Sequence, residues 1–404
     1  MLTRCYLRHQ YKLRISIRWL NTSSSDKSIT FVPSSTPYSD KYYQPVITEG
    51  SLGFSKLIIP KDFRANNQEL TPDDTFQDKQ LELQEIVNSF NSPIDVSIGY
   101  GSGILPQDGY DKTSSMTTTP TNQQLDFIHI VPNTQEFHKQ NLVQNPKHYS
   151  FKHLSFINFI QGTGIYFNPF VLINNTLVKY GIISTKSALL DLCEWNSLYF
   201  AGRLQKPVNI IKDEDLRIKF LNQYNLKNAM TISIILLQQP QFTELELYQQ
   251  ITKLSYLGDF RMKIGGENPN KVKNIVNKQF THFKKLYEPI LQFFIHNNYL
   301  IILDNDPINR TFKKNLNTNN KIKLISTLPL QFRKQLYQQY YDKSIKDIAK
   351  DKQLAKHITK VISRTIQISS IKQAIRGVFT AGIVKSVKYA WAKQVKFWQA
   401  KAKV

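Results

Sequence analysis

Apolar residues recur along the chain with two different periods, and the period predicts which segments are helices and which are strands. Residues 94–100 and 125–131 are short runs rich in β-forming residues, so each is expected to be a strand. Residues 164–173 and 176–184 read as a hairpin that turns at Asn174 and Asn175. Helical spacing of apolar residues predicts helices at 78–90, 134–144, 186–199, 216–237, 243–257 and 272–295.

The order of these elements predicts an α/β (α+β) fold in two parts. Strands and helices mix in a first domain at 76–212, whereas the pattern is mainly helical in a second domain at 213–345. The Asn-rich and Lys-rich segment 305–323 is expected to be a mobile loop. No apolar run approaches the ~20 residues of a membrane-spanning helix. Two cysteines, Cys5 and Cys193, exclude a disulfide scaffold and a cysteine-based zinc site.

Charge changes this picture because it is concentrated at the two ends of the chain. The net charge is +23, from 53 basic and 30 acidic residues. Residues 1–25 carry five basic residues, 352–404 carry twelve, and neither segment has an acid. A polyanionic partner is therefore expected at the ends, either nucleic acid or an anionic membrane.

The amino-terminal segment has the composition of a targeting peptide. Residues 1–25 are rich in Arg and Ser, lack acids and alternate basic with apolar positions, which predicts a mitochondrial transit peptide. A disordered basic tail is the alternative. Residues 26–75 are expected to be a polar linker and an amino-terminal extension.

The carboxyl-terminal segment predicts an amphipathic helix. Placed on a helix, residues 378–404 separate an apolar face carrying Trp391 and Trp398 from a lysine face. That pattern is typical of a helix in the lipid headgroup layer, so 352–404 is predicted to bind anionic lipid, with contact from about Ile371 onward. A terminal helix docked on its own domain and a nucleic-acid-binding helix are the alternatives.

Candidate chemistry lies where the strand 94–100 ends. Gly101, Ser102 and Gly103 follow it, and Asp126 opens the next strand. Glycine lets the backbone approach phosphates, which N–H and hydroxyl groups bind, while a carboxylate on the adjacent strand can hold Mg²⁺. Each feature alone also has a structural interpretation, since Gly-Ser-Gly is a common turn and a strand-start aspartate is often a cap.

Several longer blocks carry a family resemblance. They are NPKHYS at 145–150, GTGIYFN at 162–168, KYGIIS at 179–184, YFAGRLQKPV at 199–208, LSYLGDFRM at 254–262 and KVKNIV at 271–276. In this order they resemble the mitochondrial translocator assembly and maintenance family, the mitochondrial CDP-diacylglycerol synthases or phosphatidate cytidylyltransferases. The resemblance implies a nucleotidyltransferase fold, a winged-helix-like second domain and a Mg²⁺-dependent reaction of CTP with phosphatidic acid. It also implies a role in cardiolipin and phosphatidylglycerol synthesis. The basic amphipathic segment predicts peripheral attachment to the matrix side of the mitochondrial inner membrane through residues from about Ile371 to Val404.

The resemblance assigns roles to matching residues. Gly101 and Ser102 would cradle the CTP phosphates, and Asp126 would bind Mg²⁺. The other candidates are Lys179, Arg203 and Lys206 as phosphate ligands, and Tyr166 and Asn168 facing the base or ribose.

One departure from common nucleotidyltransferases concerns the second metal ligand. The position two residues after Asp126 is the apolar Ile128, where many such enzymes carry a second carboxylate. Asp108, Asp111 and Asp191 are candidates for that ligand, with no ranking among them.

Two other functions remain open at this point. The same glycine, serine and carboxylate features serve RNA-directed nucleotidyltransferases, but the basic excess lies at the termini, so no nucleic acid is expected. A non-catalytic factor for inner-membrane protein import is the other alternative. The sequence is also compatible with a homo-oligomer.

Overall fold

The computed structural model describes residues 57, 59–70, 74–105, 124–259, 261, 270–341 and 343–381. The predicted transit peptide, Asp108, Asp111 and residues 382–404 of the predicted amphipathic helix lie outside the described residues.

The first part of the chain forms a five-stranded mixed sheet with helices on both faces. Its order is β3-β4-β2-β1-β5, in which β2 and β4 are parallel and the other neighbours are antiparallel. The elements are α1 (Asp74–Asn88), β1 (Val96–Tyr100), β2 (Leu125–Val131), α2 (Thr134–Gln144), α3 (Leu154–Gln161), β3 (Tyr166–Ile173), β4 (Thr176–Ser184), α4 (Thr185–Glu194), α5 (Ala201–Leu204) and β5 (Asn209–Asp213).

Local chemistry explains two of these boundaries. The β3–β4 hairpin turns at Asn174 and Asn175, both with positive φ, as predicted, because asparagine tolerates the left-handed region. Helix α4 stops at Glu194, five residues before the predicted end, because Trp195 is left-handed with φ 56° and cannot continue the helix.

The second part is mainly helical and carries a small antiparallel sheet of order β6-β8-β7. Its elements are α6 (Leu216–Leu236), β6 (Gln241–Thr243), α7 (Glu244–Leu254), α8 (Lys271–Lys278), α9 (Phe280–His296), β7 (Leu300–Asp304), β8 (Thr311–Lys314), α10 (Thr318–Ser326), α11 (Leu330–Tyr337), α12 (Ile345–Lys350) and α13 (Leu354–Ala381). Among the described residues, no helix is both long and apolar enough to cross a bilayer.

The prediction of a mobile loop at 305–323 was wrong. This segment contains β8, where Phe312 is fully buried between β6 and β7, and the start of α10. Asn317 caps α10 by accepting a hydrogen bond from the N–H of Asn320. The polar composition of this segment concealed the central strand of the small sheet, with which both β6 and β7 pair.

One large apolar core joins the two parts of the chain. It includes Ile128 and Ile130 on one face of the five-stranded sheet and continues through α4, α5 and α6 to α9 and α13. Helix α6 lies within this core, and its buried positions include Asn222 and Asn225, whose amides are hydrogen-bonded. The opposite face of the sheet has its own smaller core around Phe127 and Tyr180.

Three histidines lie on that opposite side of the sheet. His138 contacts Tyr149 and Gln161, His129 contacts Ser97, and His148 contacts the hydroxyl of Tyr180 at 2.9 Å. Burial lowers the pKa of His129 to about 3 and those of His138 and His148 to about 4. These imidazoles are therefore neutral in the folded protein near neutral pH.

We expect the protein to lose stability as the pH falls from about 6.5, the pKa of histidine in an unfolded chain, towards 4. Over this range the histidines of the unfolded chain bind protons, whereas the buried imidazoles of the folded chain stay neutral. Thermal unfolding followed across this range measures the loss. His138→Gln should flatten the pH dependence, whereas His296→Gln, at an exposed position on α9, should not; equal slopes in both variants would contradict the prediction.

Candidate functional site

Strand register brings three candidate side chains to one face of the sheet. Asp126 on β2 is opposite Tyr100 on antiparallel β1 and level with Lys179 on parallel β4. Paired residues of neighbouring strands point to the same face, so all three side chains project together. The Nζ of Lys179 donates to Oδ1 of Asp126 at 3.1 Å, and both side chains are 27% exposed.

The turn after β1 comes close to this carboxylate. Gly101 has φ +83°, and its carbonyl accepts hydrogen bonds from the N–H groups of Ile104 and Leu105. A Cβ at Gly101 would lie 3.2 Å from Oδ2 of Asp126. Glycine is therefore required both by the left-handed conformation and by the approach of the carboxylate. Ser102 follows in the same turn and is half-buried.

Arg203 reaches the same face from α5. Its guanidinium lies over the ring of Tyr100, 4.2 Å from the centroid, and 5.3 Å from that of Tyr199. The two rings fix the plane of the guanidinium by cation–π contact. Its Nε is buried and has no hydrogen-bond partner among the described residues.

Lys206 lies one turn after Arg203. Its Nζ donates to the carbonyl of Gly202 and, at 2.8 Å, to Oγ of Ser255. Burial, together with the charges of Arg203 and Lys271, holds the pKa of Lys206 well below its ordinary value. An anion bound here would reverse that effect by favouring the ammonium form.

Further cations surround Tyr199. Burial acts to raise the pKa of the Tyr199 hydroxyl, but the charges of Arg203, Arg261 and Lys179 outweigh it, so the pKa is lowered. Arg261 is oriented by Asp259, which accepts from its Nη2 at 2.6 Å. Positive charge from three separate parts of the chain thus converges on Tyr199, and two of these cations, Lys179 and Arg203, also interact with the carboxylate of Asp126.

Asp191 is not available to a metal. Its Oδ1 accepts from the N–H groups of Ser197 and Leu198, and its Oδ2 from those of Phe200 and Ala201. The carboxylate is 4% exposed and is saturated by these bonds. Its role as a candidate second metal ligand is therefore corrected: Asp191 holds the loop that leads into α5.

Tyr166 and Asn168 are not brought to this site. Both are fully buried, and Asn168 pairs with Tyr180, whose side chain points to the opposite face of the sheet from Lys179. Side chains alternate along a strand, so the residue between them, Phe167, faces the site instead. The Nζ of Lys179 lies 4.7 Å from the centre of the Phe167 ring.

The sequence-based candidates omitted residues that the structure adds to the site. They are Tyr100, Tyr199, Ser255 and Arg261. Three of them lie within the blocks 199–208 and 254–262 on which the resemblance rests, so a signal for them was present in the sequence. Their convergence depends on packing between the two parts of the chain.

The donor set is compatible with Mg²⁺ held by one protein carboxylate. No group of three or more potential metal-binding side chains occurs within the part of the chain that the structure describes. Mg²⁺ commonly binds through one or two carboxylates and completes its shell with water and substrate phosphates. Oδ2 of Asp126, which faces Gly101 rather than Lys179, meets that requirement.

The site combines a carboxylate, several cations and a glycine turn. This combination is typical of enzymes that transfer phosphate-containing groups, such as nucleotidyltransferases. Comparison with known proteins identifies the family. A sequence model of the family described as "Phosphatidate cytidylyltransferase, mitochondrial" matches residues 83–396, and the chain belongs to this family.

Individual relatives agree with this assignment. The chain is 38% identical to the mitochondrial phosphatidate cytidylyltransferase of Schizosaccharomyces pombe over 347 residues, covering 81% of this chain and 85% of that protein. It is 39% identical to the protein of that name in Saccharomyces cerevisiae, covering 84% and 75%. Against the protein of that name in Mus musculus the identity is 34%, covering 78% and 94%.

We expect Gly101→Ala to lose most catalytic activity while the protein still folds. A methyl group would press on Oδ2 of Asp126, and an L-residue at this φ costs about 1–2 kcal/mol. Thermal unfolding and turnover of CTP measure the two effects separately. Gly377→Ala is the matched control, because its added Cβ meets nothing within 4 Å and alanine favours a helix by up to about 1 kcal/mol. Full activity in Gly101→Ala would show that the turn does not serve the site.

Proposed function

We propose that this chain joins CTP and phosphatidic acid to form CDP-diacylglycerol and pyrophosphate. The observation that supports it most is the family match over 83–396, a range that contains every residue described in the site. The product feeds cardiolipin and phosphatidylglycerol synthesis in mitochondria. We assign a nucleotidyltransferase fold to the five-stranded part and a winged-helix-like fold to the part after residue 213.

The proposed reaction is an in-line displacement at the α-phosphorus of CTP. An oxygen of the phosphatidate phosphate forms the new bond to this phosphorus, and the bond to the β-phosphate oxygen breaks, so pyrophosphate leaves with the electron pair. The nucleophile is a phosphate monoester with a second pKa of about 6, so it is largely dianionic near neutral pH. The site therefore has to align and neutralise two polyanions, and it needs no general base.

Asp126 and the neighbouring turn are assigned to CTP. Oδ2 of Asp126 would hold Mg²⁺, which neutralises charge that develops on the departing pyrophosphate. Gly101 and Ser102 are assigned to the phosphates of CTP, because the backbone can approach closely only at a residue without a side chain. Lys179 orients Asp126 through their 3.1 Å contact and adds one positive charge.

Arg203 and Lys206 are assigned to phosphate oxygens. The guanidinium of Arg203, stacked on the Tyr100 ring, presents its N–H donors in a fixed plane. The pKa of Lys206 is depressed by burial and by neighbouring cations, and a bound phosphate would raise it because a nearby anion favours the ammonium form. Arg261 is a third cation for the same purpose.

We expect Asp126→Asn to abolish formation of CDP-diacylglycerol and pyrophosphate from CTP, phosphatidate and Mg²⁺. Asparagine preserves the shape of the side chain but removes the charge that the cation requires. Asp304→Asn, at an exposed position on β7, serves as the control and should retain activity. Normal activity in Asp126→Asn would refute the assignment, and incorporation of CTP into RNA in place of phosphatidate would favour an RNA-directed nucleotidyltransferase.

We also propose peripheral attachment to the matrix side of the mitochondrial inner membrane through the carboxyl-terminal segment. The described end of α13 supports this. Ile371, Ile375, Val378 and Phe379 are each 40–55% exposed, while Gln373 on the other side of the helix donates to the carbonyl of Ile165. The helix thus packs on the fold and keeps an apolar face outward, and the basic segment 382–404 follows it.

Removal of residues 382–404 should weaken binding to anionic vesicles well beyond tenfold, because each lysine near an anionic surface contributes about 1 kcal/mol. The segment contains six lysines and no acid. Flotation with vesicles across a lipid titration measures the effect, and binding of the full chain should fall steeply with salt. Neutral vesicles are the control. If the truncated chain floats as well as the full chain on anionic vesicles, the segment is not the anchor.

A further inference from the structure

Helix α3 carries an aromatic surface that the proposed catalytic site does not use. Phe159 is 83% exposed and Phe151, just before the helix, is 37% exposed. The buried side of the helix is formed by Ile157, Ile160 and Gln161, so α3 packs against the protein through a different side from the one that carries Phe159. Large aromatic side chains held in water mark a contact surface.

This surface is continuous with the outward face of α13. The ring centroids of Phe151 and Phe156 are 4.8 Å apart, and those of Phe156 and Phe379 are 6.2 Å apart. The hydroxyl of Ser150 also donates to the carbonyl of Thr380 at 2.7 Å. Aromatic residues from two distant parts of the sequence therefore form one patch.

A cation lies where the two helices meet. The guanidinium of Arg376 lies over Gly162 and Gly164 at the end of α3, so closely that a Cβ on Gly164 would overlap it. Arg376 is half-buried, and no acidic partner is found for it among the described residues. A side chain at Gly164 would separate the helices, and an anion at the surface would balance this charge.

The charge pattern selects the kind of partner. From residue 137 to 190 the chain has no acid and five lysines, two of them, Lys147 and Lys152, next to α3. Residues 352–404, which include α13, also lack acids. An apolar aromatic patch with a basic, acid-free surround matches an anionic lipid surface, where apolar side chains enter the acyl boundary and cations meet headgroups.

We propose that α3 is a second membrane-contacting element, which enters the lipid surface beside α13 through Phe159 and the adjacent aromatic residues. The inference rests on the proposed function, because it places the patch on the membrane that holds phosphatidate. Two contacts separated in sequence would fix the orientation of the sheet on the membrane, which a single terminal helix cannot do.

The test compares full-length Phe159→Gln with the unmodified chain on vesicles of phosphatidylcholine containing phosphatidate. The variant no longer buries a phenylalanine side chain in the acyl boundary, so it should bind at least about tenfold more weakly across a lipid titration. Its thermal unfolding should be unchanged, since the side chain makes little contact with the fold. CDP-diacylglycerol formation from detergent-dispersed phosphatidate should also be unchanged.

Leu81→Gln is the matched control, because Leu81 is 59% exposed on α1 beside Glu82 and Glu85. It should bind vesicles like the unmodified chain. Equal binding by Phe159→Gln, or an equal loss in Leu81→Gln, would overturn the inference. Self-association or capture by another protein through Phe159, without any change in vesicle binding, would also overturn it. Vesicle binding is read without turnover, so an unmodified chain that binds lipid but makes no CDP-diacylglycerol would defeat only the proposed reaction.

Discussion

The carboxylate of Asp191 fixes the loop from which the site takes its cations. Four backbone N–H groups and the hydroxyl of Ser197 converge on its two oxygens within residues 197–201. Trp195, just before this segment, and Leu198, within it, have positive φ, a conformation that costs an L-residue about 1–2 kcal/mol. Hydrogen bonds to a buried carboxylate are strong enough to offset that cost. The chain is thereby turned from α4 into α5, which places the guanidinium of Arg203 over Tyr100 of the sheet and the amine of Lys206 beside Ser255.

Helix α6 holds the same loop from the other side. The Oδ1 of Asn225 accepts from Nε1 of Trp195 and from Nε2 of Gln205, and its Nδ2 donates to the carbonyl of Ala201. A buried asparagine is stable only when its donors and acceptors are paired, and here the pairing links both ends of the loop. The polar residues inside α6 therefore contribute to the position of the cations, which can be fixed before any ligand binds.

The sequence could predict those parts of the fold that are determined by residues close to one another along the chain. Strand β2 and helix α2 were predicted with their observed bounds, and the hairpin turn was predicted from two adjacent asparagines. The segment 305–323 could not be recognised, because the burial of Phe312 depends on pairing with β6 and β7. The same applies to Tyr166 and Asn168, since the face of the sheet on which a side chain lies follows from register and not from the motif.

The site itself required the two parts of the chain to pack together. Asp126 and Lys179 come from the sheet, Arg203 and Lys206 from α5, and Ser255 from the end of α7. Ser255 contacts Lys206 directly and also donates to the carbonyl of Gly202, so the two parts share hydrogen bonds at the position of the amine. The family resemblance identified the sequence blocks that carry these residues. It could not predict the distances between them, because those distances depend on how the chain folds.

Helix α13 connects the candidate site to the aromatic surface that it shares with α3. A Cβ at Gly258 would lie 2.3 Å from the carbonyl oxygen of Ser363, so the loop that carries Arg261 packs directly on the backbone of α13. About three and a half turns later, Arg376 on the same helix covers the turn at Gly164 that leads into β3. A rigid helix thus touches the cation-bearing loop at one point and the edge of the sheet at another. The residues proposed to contact the membrane therefore lie on the same helix that packs against the loop carrying Arg261, so the orientation of the protein on the membrane and the position of that loop depend on one packed element.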